Sequence, residues 1–96
     1  MRLRLSPRAL DDLEQIRAFL VPRSSQGAER VRSAIVGDLE LLAQFPNAGR
    51  VTNIKGLRVL PVVRYPYLIY HTLIANEIIV VHIRHTSRDA PAEGDF

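Results

Sequence analysis

The apolar residues of this chain change their period once, and that change limits the fold more than any other feature. Up to Phe45-Pro46 they recur every three or four residues. From Leu57 onward they alternate, or run together in short β-branched blocks. A helical period does not suit a sheet, nor a period of two a helix face. The chain is therefore expected to hold a helical part followed by a strand-rich part. Its 96 residues leave room for one core, since a second would need roughly 50 residues of its own. The two parts must share that core.

Local signals divide each part further. Arg2-Leu3-Arg4-Leu5 alternates like a half-buried strand. Ser6-Pro7 then reads as an N-cap followed by proline at the first helical position, where its missing N–H costs nothing. Leu10, Leu13, Ile16 and Leu20 follow at helical spacing until Val21-Pro22. Ser24 or Ser25 caps a second helix with the stripe Ala28, Val31, Ile35, Leu39 and Leu42, which Phe45-Pro46 ends. A connection of about three residues makes the pair an antiparallel hairpin. The stretch 47–56 has no period and is expected to be loop. Strands are expected over 57–63, with Pro61 at an edge or bulge because it cannot donate to a ladder, over 67–73, and over 77–84. Ala75-Asn76 makes a tight turn between the last two. Ile78-Ile79-Val80-Val81 is apolar on both faces and belongs inside the sheet. The expected fold is α+β with the order β-α-α-β-β-β. A single domain over 1–90 packs its helical hairpin on one face of a small, mainly antiparallel sheet and leaves the other face open. Residues 91–96 are expected to fray.

Composition removes several classes of function. With no cysteine, there is no disulfide framework, thiol nucleophile or thiolate zinc site. No apolar run exceeds five residues, so a membrane span is excluded, and the N-terminus lacks the apolar stretch of a signal peptide. A cytoplasmic location is expected. The net charge of +3 is distributed unevenly. Residues 1–49 hold seven basic and six acidic side chains, residues 50–88 hold six basic ones against Glu77 alone, and the last eight residues contribute −3. The second half therefore carries a positive field suited to an acidic partner, whether nucleic acid or protein.

Few residue patterns carry chemistry. No Gly-rich phosphate loop and no Gly-x-Ser-x-Gly elbow occurs. Asp11, Asp12 and Glu14 are expected on the solvated face of the first helix. His82 and His85, three apart on a strand, should point to opposite faces, and His71 is expected half-buried on a sheet face, so no metal site and no cofactor are expected. One cluster remains. Arg64, Tyr70, His82, Arg84, His85 and Arg88 lie in or beside the last two strands. They either hold a phosphodiester while a histidine moves a proton, or form a basic docking surface.

Four segments in order resemble the RelE/ParE toxin superfamily: Leu5-Ser6-Pro7-Arg8-Ala9 with Asp11-Asp12-Leu13, Phe45-Pro46 leading to Gly49-Arg50, the run from Gly56 to His71, and the run from Ile79 to Asp89. Arg64-Tyr65-Pro66-Tyr67 and the ending His85-Thr86-Ser87-Arg88-Asp89 are similar to the ParE-like branch. The resemblance implies the toxin of a type II toxin–antitoxin system. ParE-like members poison DNA gyrase without cutting nucleic acid; RelE-like members cleave mRNA on the ribosome. The lysine-rich clamp and C-terminal tyrosine of the latter are missing here, with Lys55 the sole lysine. On the ParE-like reading the chain is not itself an enzyme, and Arg64, Arg84, His85 and Arg88 contact the target. A ParD-like antitoxin, with a ribbon-helix-helix start and an acidic C-terminal helix, binds at Arg50, Arg58, Leu60, Val62 and Tyr67 in a hetero-oligomer. This chain then makes no sequence-specific contact with DNA itself. On the alternative reading, His82, His85, Arg64 and Arg84 form a ribonuclease site.

Overall fold

The computed structural model of the protein describes residues 1–87. Strand β1 (Arg2–Leu5) leads into helices α1 (Pro7–Leu20) and α2 (Ser25–Gln44), followed by β2 (Arg50–Val51), β3 (Leu57–Pro61), β4 (Tyr67–Ile74) and β5 (Glu77–His85). The five strands form one sheet in the order β1-β5-β4-β3-β2. β1 runs parallel to β5, with Leu5 opposite Val80, and every other pairing is antiparallel. The α+β hairpin-on-sheet architecture is as expected. The short β2 is an addition. Two residues in a stretch without period give no pattern to read, and they become a strand only because β3 offers Val59 and Arg58 as partners.

The helix boundaries follow from their caps. Ser6 Oγ accepts the Ala9 N–H at 3.1 Å, and Ser24 Oγ accepts the Gly27 N–H at 2.9 Å. Each satisfies a donor that the first helical turn leaves without a partner. At the far end of the sheet, Ala75 and Asn76 both have positive φ, as a two-residue hairpin turn of right-handed twist requires. β3 stops at Pro61, two residues short of the expected Val63. Pro61 lies beyond the part of β3 that β2 covers, so its missing N–H faces no strand there. β5 is flanked on both sides, as its apolar run requires, although β4 is the middle strand.

Ala9, Val31, Ile35 and Leu42 of the helices pack against Val62, Tyr67, Ile69, Val80 and Ile83 in the main core. Two expectations need correction. Leu10 is 56% exposed, whereas Ala9 and Asp12 are buried. The helix is turned so that positions 9, 12, 13, 16 and 20 face inward. The opposite sheet face has no helix, but it is not bare: Leu57, Val59 and Tyr70 form a second buried cluster, with Ile54 packed onto it from the turn before β3.

Candidate functional site

The helix-free face gathers its polar groups where β1 ends. Leu5 is the last β1 residue paired with β5. Just beyond it, the Ser6 N–H donates to the Val80 carbonyl at 2.9 Å, and Ser6 Oγ donates to the Val81 carbonyl at 3.2 Å. Farther along, Asp12 of α1 replaces the missing strand. Its Oδ2 accepts the Ile83 N–H at 2.9 Å and meets His82 Nδ1 at 2.6 Å. Backbone donors at a buried edge need partners, and a carboxylate supplies two lone-pair directions at once. The contact also sets the imidazole: its Nδ1 presents a hydrogen to Asp12. Arg8 Nε, one turn earlier on α1, lies 3.7 Å from the other Asp12 oxygen.

His82 stacks on Tyr70 across the β4–β5 pair, with ring centroids 6.0 Å apart and planes 24° from parallel. On the other side of Tyr70, Arg84 Nε donates to the phenol oxygen at 3.0 Å, and its guanidinium carbon lies 5.6 Å from the ring centroid. A second Arg84 nitrogen donates to the His85 carbonyl at 3.1 Å. Asp12, His82, Tyr70 and Arg84 thus form one continuous array, and all four are buried. Beside it, Arg50, Asn53, Leu57, Tyr70 and Arg84 line a pocket of roughly 270 Å³. Two guanidinium groups and a phenol in so small a space suit an anionic group: a phosphate or a carboxylate.

His85 belongs to the other side of the sheet. It meets Tyr67 edge-on at 5.5 Å, and its Nδ1 accepts the Ser87 N–H at 3.1 Å, with Ser87 Oγ at 2.7 Å. Because Nδ1 is the acceptor for a backbone donor, the neutral ring carries its proton on Nε2. His85 and Tyr67 line a cleft of roughly 690 Å³ beneath α1, whose apolar wall includes Ile16, Phe19 and Leu20. Burial pushes the Tyr67 phenol above its ordinary value.

The other sequence candidates are dispersed. Arg64, held at φ 75°, is exposed in the turn between β3 and β4. It lines a separate cleft with Arg30 and Asp38, whose carboxyl is raised by desolvation. Arg58 donates to the Gly49 carbonyl at 2.8 Å, Val62 is in the core and Leu60 packs against it, and Arg50 faces the small pocket. Arg88 and the 91–96 tail lie outside the described residues. His71 is 1% exposed rather than half-buried. Asp12 is the residue sequence reasoning placed wrongly, on a solvated face. Its spacing from Ala9 and Ile16 was the available signal, since three and four residues along a helix return to the same side. Among the described residues, no group of three His, Asp or Glu side chains is placed to hold a metal ion, and no helix is long and apolar enough to cross a membrane.

Comparison with known proteins identifies the fold and the family. Residues 3–90 match the family model of the ParE toxin of type II toxin–antitoxin system, parDE. Protein Y4kP of Sinorhizobium fredii is 30% identical over 94% of this chain and 93% of its own length. Toxin RelE2 of Caulobacter vibrioides is 35% identical over 84% of this chain and 90% of its own. Among solved structures, the chromosomal ParDE system of P. aeruginosa superposes with a TM-score of 0.82 at 27% identity, covering 91% of this chain and 97% of the matched one. The isolated E. coli RelE toxin shares the fold at a TM-score of 0.60 and 14% identity, over 92% of this chain and 86% of its own. The chain belongs to the ParE toxin family of type II toxin–antitoxin systems.

Proposed function

We propose that this toxin is a protein poison of DNA gyrase, held silent by a ParD-like antitoxin. The observation that carries the reading is the placement of the two histidines on opposite faces of the sheet. His82 Nδ1 is committed to Asp12, and His85 Nδ1 to the Ser87 backbone, on opposite faces of the sheet. From opposite faces the two histidines cannot serve together as acid and base on one substrate. A docking surface needs guanidinium forks. Arg64 offers one exposed in the β3–β4 turn, and Arg84 offers one at the small pocket, where it also holds Tyr70. The P. aeruginosa match, at higher identity and TM-score than the E. coli RelE match, supports the same branch.

The antitoxin is proposed to lay an acidic amphipathic helix along the cleft beneath α1. Tyr67 lines that cleft, while Val62 and Leu60 form and flank the core behind it. Arg50, exposed on β2, and Arg58, once it leaves the Gly49 carbonyl, are proposed to meet its carboxylates farther along the sheet. A supercoiling assay with purified gyrase tests the reading. The toxin should block supercoiling and leave cleaved DNA, and Arg64→Lys, Arg84→Lys and Arg88→Lys should each weaken the effect, because an ammonium cannot replace a bidentate fork. His85→Ala should matter less.

A second reading rests on the pocket of Arg50, Tyr70 and Arg84, which suits a phosphodiester with His82 stacked behind it. On that reading the toxin truncates mRNA in a translating extract and leaves supercoiling untouched. That result would replace the gyrase proposal.

A further inference from the structure

His71 lies in the middle of β4 with Arg58 opposite it on β3 and Val80 opposite it on β5. The ring is 1% exposed, and its buried Nε2 has no hydrogen-bond partner. The backbone of Gly49 lies against that nitrogen. A Cβ at position 49 would fall 2.4 Å from Nε2 and 2.9 Å from the Val59 carbonyl oxygen. Only a residue without a side chain lets the segment before β2 lie this close to the ring. The segment is lightly held: β2 pairs through two residues, Thr52 after it bonds the Leu57 carbonyl through its N–H and Oγ1, Arg58 donates to the Gly49 carbonyl, and the Ala48 N–H donates to the Phe45 carbonyl.

A proton on Nε2 has no acceptor in this site. When Nδ1 is protonated as well, it places an imidazolium beside the Arg58 guanidinium. Of the neighbouring elements, β3 contributes that guanidinium, β5 contributes Val80, and the 46–51 segment contributes the Gly49 backbone, with its Arg50 turned to the small pocket on the other face. Burial, and then the Arg58 guanidinium, hold the imidazole below its ordinary value. A buried charge without a partner is costly. The cheapest relief is to lift the two-residue strand and let water reach the ring, because local opening of a weakly held segment costs less than global unfolding.

We infer that His71 is an acid-operated latch beneath Gly49, whose protonation releases residues 46–52, β2 among them, from the sheet while the rest of the fold stays closed. Arg50 and Val51 belong to the released segment and also line the small pocket beside Arg84. Acidification therefore opens that pocket. The inference does not depend on whether the target is gyrase or mRNA.

Amide exchange of the full chain, produced in a cell-free system, tests it between pH 8 and pH 5. Protection factors, corrected for intrinsic exchange, should fall about tenfold per pH unit for residues 48–52 once the pH drops below the ordinary histidine value, as one-proton linkage requires. The Thr52 amide, which donates to the Leu57 carbonyl at 3.1 Å, is a direct reporter. Ile69 and Val80 should keep their protection. His71→Phe keeps an aromatic ring without a titrating nitrogen and should remove the pH dependence of the segment. The wild-type ring resonances provide an independent check, since their titration should coincide with the opening. PH-independent protection at 48–52 would overturn the inference. So would a loss that persists in His71→Phe, or a ring that titrates while the segment stays closed.

Discussion

On the helix-covered face of the sheet, Ile69, Val80 and Ile83 lie against Val31, Ile35 and Leu42 with almost no exposure. On the other face, Tyr70 lies between His82 and Arg84, with Asp12 beyond His82. The two faces are similarly buried but closed by different forces. The first is held by the hydrophobic effect, which tolerates small shifts in geometry. The second depends on directed hydrogen bonds, in which each partner lost leaves another polar group unsatisfied. Their histidines differ in the same way. His82 is held by a carboxylate, whereas His71, on the covered face, faces a glycine and an arginine. One face can therefore vary its side chains within a volume, while the other fixes their identity.

The largest effect expected from breaking this comparison is in the covered core. Ile69→Ala or Leu42→Ala, each at a site with 0% exposure, should cost about 2–5 kcal/mol in urea unfolding. Val59→Ala in the smaller cluster on the other face should cost less, because fewer apolar partners surround it. Equal losses would show that both faces rely on apolar packing alike.

Next in size is Asp12→Ala, which leaves the buried Ile83 N–H and His82 Nδ1 without their acceptor. A loss of about 2–3 kcal/mol is expected, with Asp12→Asn losing less because its carbonyl oxygen still accepts one of the two. Gly49→Ala should cost about 1–3 kcal/mol through overpacking against the His71 ring and the Val59 carbonyl. A double-mutant cycle with His71→Ala should recover part of that loss, which locates the clash at the ring.

The pH dependence tests the histidine of the covered face. His71 is depressed in the folded chain, so between its folded value and about 6.5 the unfolded chain binds more protons. Stability contributed by the neutral ring is therefore complete above about pH 6.5. It is lost as the pH falls through the folded value and levels off below it. Urea midpoints measured from pH 8 to pH 5 should show this slope in the wild type and lose it in His71→Phe.

The smallest effect belongs to the exposed ion pair on α1. Arg17 holds the Glu14 carboxyl below its ordinary value through a 2.6 Å contact, but both side chains are in water. Glu14→Gln should leave the melting temperature unchanged within error.

Much of the chain was legible from neighbours in sequence. The two helices, their serine caps, the stop at Phe45-Pro46 and the interior placement of β5 all follow from spacing and turn chemistry, which act over a few residues. Even the family resemblance is carried by short runs that lie within single elements. Only the tertiary structure decided that β1 joins β5 in parallel, that residues 50–51 become a strand, and that α1 turns Ala9 and Asp12 inward instead of Leu10. It also decided which histidine has a partner. Asp12 and His82 are 70 residues apart, and Gly49 and His71 meet across a strand boundary. A carboxylate has the same composition and charge on a wet helix face as at a dry sheet edge. Which of these it meets depends on where β1 runs out, and that end is set by packing between elements rather than by spacing along the chain.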